Sequence, residues 1–136
     1  MIVCKYVYLH TKGGGKLDDM EYSSFGDMLK HMIKLSEMSQ ICFYTELGIT
    51  KPYFYDILSG KVNPPPPKVQ FKMANILKLS SRQREIFFEK AADERNELPA
   101  DIMYYIKDNP DVMKIIRENM SCSNNNENGG KIDDVK

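Results

Sequence analysis

Between Glu46 and Lys61 the chain reads ELGITKPYFYDILSGK, and this stretch constrains the fold more than any other. Gly48 and Gly60 are of the one residue type that enters the left-handed region without a Cβ clash, so each is suited to end a helix. Thr50 carries the short hydroxyl of an N-cap, and Pro52 falls in the first turn, where a missing N–H breaks no intrahelical bond. The spacing therefore predicts a helix that ends at Gly48, a tight turn, and a short helix from Thr50 to Leu58 that stops at Gly60. Phe54 and Ile57, with Ile49 just before them, form its inward side. Lys51, Tyr53, Tyr55 and Asp56 are left as candidates for exposure.

The flanking sequence predicts more helices. Ser23 or Ser24 can cap one in which Phe25, Met28, Leu29, Met32 and Ile33 recur at three- and four-residue spacing, running to about Glu37. Ser39 can cap the helix that carries Phe43, Tyr44 and Leu47. The prolines of KVNPPPPK fix an extended connection, a rigid spacer in preference to a ligand for a proline-binding domain. Val69, Met73, Ile76 and Leu77 mark a fourth helix, and Ser80 or Ser81 caps a fifth through Ile86, Phe87 and Ala91. Beyond Leu98-Pro99, Ile102, Tyr105 and Ile106 share one face of a further helix. Asn109-Pro110 opens a last short one with Val112, Ile115 and Ile116. Residues 1–19 read as a flexible or strand-like leader with a glycine-rich joint, and residues 121–136 as a disordered tail with little to bury.

At 136 residues the chain has room for one core, with 42% hydrophobic and 28% charged residues in the ordinary range for a globular protein. No apolar run approaches the roughly 18 residues of a membrane span, and the short start MIVCKYVYLH lacks a cleavage site, so a cytoplasmic location without membrane insertion is expected. Cys4, Cys42 and Cys122 are scattered without metal-ligand spacing. His10 and His31 lack any partner at ligand spacing, the acidic pairs Asp18-Asp19 and Asp133-Asp134 are ordinary solvated groups, and GGGK lacks the spacing of a phosphate loop. Neither an enzyme nor a cofactor is expected. The formal net charge is zero, but seven lysines face four acids between Ser23 and Leu79, whereas seven basic residues face nine acids from Ser80 to Met120. A mildly positive middle can attract phosphate.

Successive short helices, two of them joined by a tight glycine turn, describe a helix-turn-helix. From Phe25 to Leu79 the chain resembles the Cro/cI-type (XRE-like) helix-turn-helix regulators of bacteria and phages. The matching residues are Phe25-Gly26, Ser39-Gln40, Leu47-Gly48-Ile49, Tyr53 with Asp56-Ile57, and Gly60-Lys61 followed by Asn63-Pro64. The resemblance implies an all-α fold: a five-helix lambda-repressor-like DNA-binding domain over residues 20–95, with additional C-terminal helices over 96–120 as a candidate dimerisation element. It implies double-stranded DNA as partner, usually met by a homodimer, with the third helix in the major groove. Carried over by position, Lys51, Pro52, Tyr55 and Asp56 become base-reading candidates, and Gln40, Thr50, Tyr53, Ser59 and Lys61 phosphate candidates. Tyr44 stands where the family has alanine, so its ring is expected to splay the two helices or point away. Tyr53, Tyr55 and Leu58 also make an apolar surface, which leaves a second expectation: a protein-interaction module, antitoxin-like or host-directed, on the same fold.

Overall fold

The computed structural model describes residues 21–126, with side chains as far as residue 123. The leader expected over residues 1–19 lies outside these residues, as do residues 127–136 of the expected tail. The described residues form seven helices and no strand: α1 Phe25–Leu35, α2 Gln40–Leu47, α3 Lys51–Ser59, α4 Pro67–Ile76, α5 Ser81–Arg95, α6 Ala100–Asp108 and α7 Pro110–Asn126. The chain is all-helical over this span.

Local chemistry accounts for most helix ends. Ser24, Ser39, Thr50 and Ser80 each accept a hydrogen bond from the backbone N–H three residues on, relieving one of the unpaired donors of a first turn. At Ser80 the bond is reciprocal, because Gln83 Oε1 accepts from the Ser80 N–H at 2.8 Å. Gly48 and Gly60 take φ of +88° and +83°. At the first, Gly48 N–H donates to the Thr45 carbonyl and Ile49 N–H to that of Tyr44; at the second, Gly60 N–H donates to Ile57 and Lys61 N–H to Asp56. These are paired helix-ending bonds that only a left-handed residue allows. Helix α1 stops at Leu35, short of the expected Glu37, because Glu37 itself turns left-handed at φ +61° and ends the helical run.

The chain divides into two compact units after Asp101. In the first, α1 packs on α3 and α5, α2 on α3 and α4, and α4 on α5. Phe25, Phe43, Phe54, Phe87 and Phe88 are at most 1% exposed and form the centre, with Met28, Leu29, Met32, Ile33, Ile57 and Met73 around them. Burying a side chain of this size stabilises by about 1.5 to 3 kcal/mol, which is why the apolar faces and not intrinsic propensity decide how such short helices sit. Pro64 and Pro65 are buried; their carbonyls accept from Arg95 Nη1 at 2.9 Å and Gln70 Nε2 at 2.8 Å. The proline run is thus a wall of the core, which takes two of its four rings away from any proline-binding partner.

The second unit holds most of α6 and all of α7. Ile102, Tyr105, Ile115, Ile116 and Met120 are exposed, and Asn109 Nδ2 donates to the Tyr105 carbonyl at 2.8 Å where the two helices meet. Helix α7 does not stop near Met120 with a disordered tail from residue 121, as expected, but continues to Asn126. No proline or glycine intervenes before Gly129, and extending an existing helix through Ser and Asn costs only tenths of a kcal/mol per residue, roughly 0.5. Ser121 Oγ helps by donating to the Arg117 carbonyl at 3.2 Å.

Candidate functional site

Helix α3 is held from behind. Phe54 and Ile57 are at most 2% exposed, and the Phe54 ring lies 5.9 Å from Phe43, 5.2 Å from Tyr44 and 5.2 Å from Tyr55, centroid to centroid. Such tilted pairs are the arrangement aromatic quadrupoles favour. Tyr44 is therefore neither turned away nor idle: it is half-buried, with its ring seated on α3. On the other side, α1 meets α3 through Gly26. A Cβ at that position would lie 2.0 Å from the Leu58 carbonyl oxygen, so the two backbones touch where only glycine fits.

This support leaves Lys51, Pro52, Tyr55 and Ser59 exposed along α3, with Thr50 just before it and Lys61 just after. Their spacing of three and four residues puts them on one side of the helix. Tyr53, expected to be exposed, is instead half-buried against the core, because it stands one turn before the buried Ile57. Asp56 is also half-buried. The Thr50 hydroxyl oxygen accepts from the Tyr53 N–H at 3.3 Å, and the Ser59 hydroxyl donates to the Asp56 carbonyl at 3.2 Å, so both are partly engaged in their own helix.

One bond joins two of the candidates from different helices. The Tyr55 hydroxyl donates to Gln40 Oε1 at 3.1 Å, linking the middle of α3 to the first residue of α2. That leaves the Gln40 amide N–H groups as the donors on offer to a ligand. Sequence reading placed both residues at the site but not this bond, since nothing local couples positions fifteen apart. Lys51 and Lys61 are placed by register and by the Gly60 turn; among the described residues no ion pair holds either.

Beside Gln40 an open groove of about 530 Å³ runs against α1, lined among others by Asp27, Lys30, His31, Lys34 and Met38. His31 Nδ1 shares a 2.9 Å hydrogen bond with the Tyr22 hydroxyl. Partial burial, and then the neighbouring Lys34 ammonium, hold the His31 imidazole below its ordinary pKa, while burial pushes the Tyr22 phenol up. Among the described residues no group of three His, Cys, Asp or Glu side chains is placed to hold a metal ion, and no helix is long and apolar enough to cross a membrane. Comparison with protein-family models, curated proteins and solved structures gave no match for the chain.

Proposed function

We propose that this chain is a sequence-specific DNA-binding transcriptional regulator of bacterial or phage type, acting in the cytoplasm, with α1–α5 as a five-helix lambda-repressor-like domain. The observation that carries the reading is the state of α3: a short capped helix anchored by Phe54 and Ile57, whose exposed side offers Lys51, Pro52 and Tyr55. In a major groove, Lys51 donates to guanine O6 and N7, Pro52 or Tyr55 contacts a thymine methyl, and Asp56 accepts from cytosine N4. Gln40, Thr50, Tyr53, Ser59 and Lys61 serve the flanking phosphates, which position the helix without reading sequence. No catalytic step is assigned to any residue.

A mobility-shift titration on genomic and random duplex DNA tests this. Lys51→Ala should lower affinity for the preferred site by about 1 to 3 kcal/mol, or roughly one to two orders of magnitude, and relax sequence preference. Lys61→Ala should weaken all sequences alike and reduce the logarithmic salt slope by about 0.9. No shift even at low salt, or indifference to both changes together, would overturn the reading.

One reading helix contacts few bases, so the regulator is proposed to act as a homodimer on half-sites about 34 Å apart. Ile102, Tyr105, Ile115, Ile116 and Met120 supply exposed apolar surface for a second copy. Light scattering should give twice the monomer mass, and Ile115→Asp with Ile116→Asp should return the monomer; a monomer before substitution removes the dimer from the proposal.

A second reading has its own support. Ile41 is 63% exposed and Tyr55 41%, so the side that bears Gln40 also carries apolar surface suited to a protein partner. Absence of DNA binding by a folded chain is the outcome that favours it.

A further inference from the structure

We infer that Lys30 and Lys34 of α1 form, with Gln40, an additional seat for a backbone phosphate of duplex DNA, beside the surface of α3; the inference rests on the DNA-binding reading above. Lys30 and Lys34 stand one helical turn apart, both exposed, and both line the groove that Gln40 also lines. Like charges at this spacing repel by a few tenths of a kcal/mol, roughly 0.2 to 0.5. No described acid forms an ion pair with either one. An anion in the groove would relieve that repulsion.

The field of Lys34 is felt inside the groove. Burial first and the Lys34 ammonium second lower the His31 pKa, and the groove sets two lysines against one carboxylate, Asp27, which accepts a hydrogen bond from the Ser23 hydroxyl. The ligand chemistry follows from the donors. Two ammonium groups and an amide N–H match the two free oxygens of a phosphodiester.

Continuity with α3 comes through Tyr55. Its hydroxyl fixes Gln40 Oε1, so the glutamine is shared between the exposed side of α3 and the groove. A strand whose bases meet α3 would then pass its phosphates over Gln40 toward Lys34 and Lys30.

The test is fluorescence anisotropy of a labelled random-sequence duplex across a salt series. Lys30→Gln with Lys34→Gln should flatten the slope of log affinity against log salt by roughly 1.8, at about 0.9 for each lost contact, and weaken specific and random duplexes alike. Lys30→Arg with Lys34→Arg should retain the slope. An unchanged slope in the glutamine variant, with the unmodified chain still binding, overturns this seat and leaves the DNA reading intact. No binding by the unmodified chain overturns both.

Discussion

Gly26→Ala should lower the melting temperature by on the order of 15 °C, corresponding to about 3 kcal/mol or more in a domain of this size. The added methyl would fall 2.0 Å from the Leu58 carbonyl oxygen, 2.7 Å from its carbon and 3.0 Å from its Cα. All three are backbone atoms, so no side-chain rotation relieves the overlap. Helix α1 and helix α3 must separate, and the rows Met28–Leu29 and Phe54–Ile57 on either side lose contact with them. Two controls isolate the cause. Shortening Leu58 to alanine alongside Gly26→Ala should restore nothing, because the obstruction is not the leucine side chain. Gly48→Ala, where nothing lies within 4 Å but φ is +88°, should cost only the left-handed backbone term of about 1 to 2 kcal/mol. Thermal unfolding followed by circular dichroism reads all three. A Gly26→Ala chain that melts no earlier than Gly48→Ala would show that the helices do not approach this closely.

Phe54→Ala should cost about 3 to 5 kcal/mol, measured by urea unfolding, and should remove the proposed DNA binding at temperatures where any folded chain persists. Phe54 is fully buried, and Phe43, Tyr44 and Tyr55 all lean on its ring. Its loss leaves a cavity between α2 and α3, and the tyrosines that flank it would collapse toward the gap. Tyr55 would then leave Gln40, so the defect reaches the proposed interface as well as the core. Phe54→Leu retains most of the apolar volume and should recover most of the stability, while Tyr55 regains part of its support. A stability change within about 0.5 kcal/mol, the range of surface substitutions, would show that α3 is not anchored by this ring.

How much was legible in advance varies with distance along the chain. The caps at Ser39 and Thr50, those at one of Ser23 and Ser24 and one of Ser80 and Ser81, and the stops at Gly48 and Gly60 involve atoms within about one turn and are readable because the residue types themselves carry the chemistry; the choice of Ser24 and Ser80 belongs to the structure. The buried sets of α1 and α3 were readable from spacing alone. Tyr53 was not, since a residue at the margin of an apolar stripe is covered or uncovered by its neighbours' size. The length of α7 was misread for a different reason: Ser and Asn suggest a tail by composition, yet a helix already nucleated passes through them.

The sequence by itself determined where the helices lie, most of their caps, and the buried sides of α1 and α3, because these depend on interactions a few residues apart and on the 3.6-residue period. Only the tertiary structure decided what meets across them. Glu94 Oε2 accepts from the Phe25 N–H at 2.7 Å, sixty-nine residues away, and Tyr55 reaches Gln40 fifteen residues away. Gly26 must be glycine because of Leu58, which lies on another helix. Contacts of this kind follow from how side-chain volumes pack between helices, a collective property that no local stretch encodes. In ELGITKPYFYDILSGK, accordingly, the turn and the helix were written in the residues, whereas the pairing of Tyr55 with Gln40 was set by the helices packed around them.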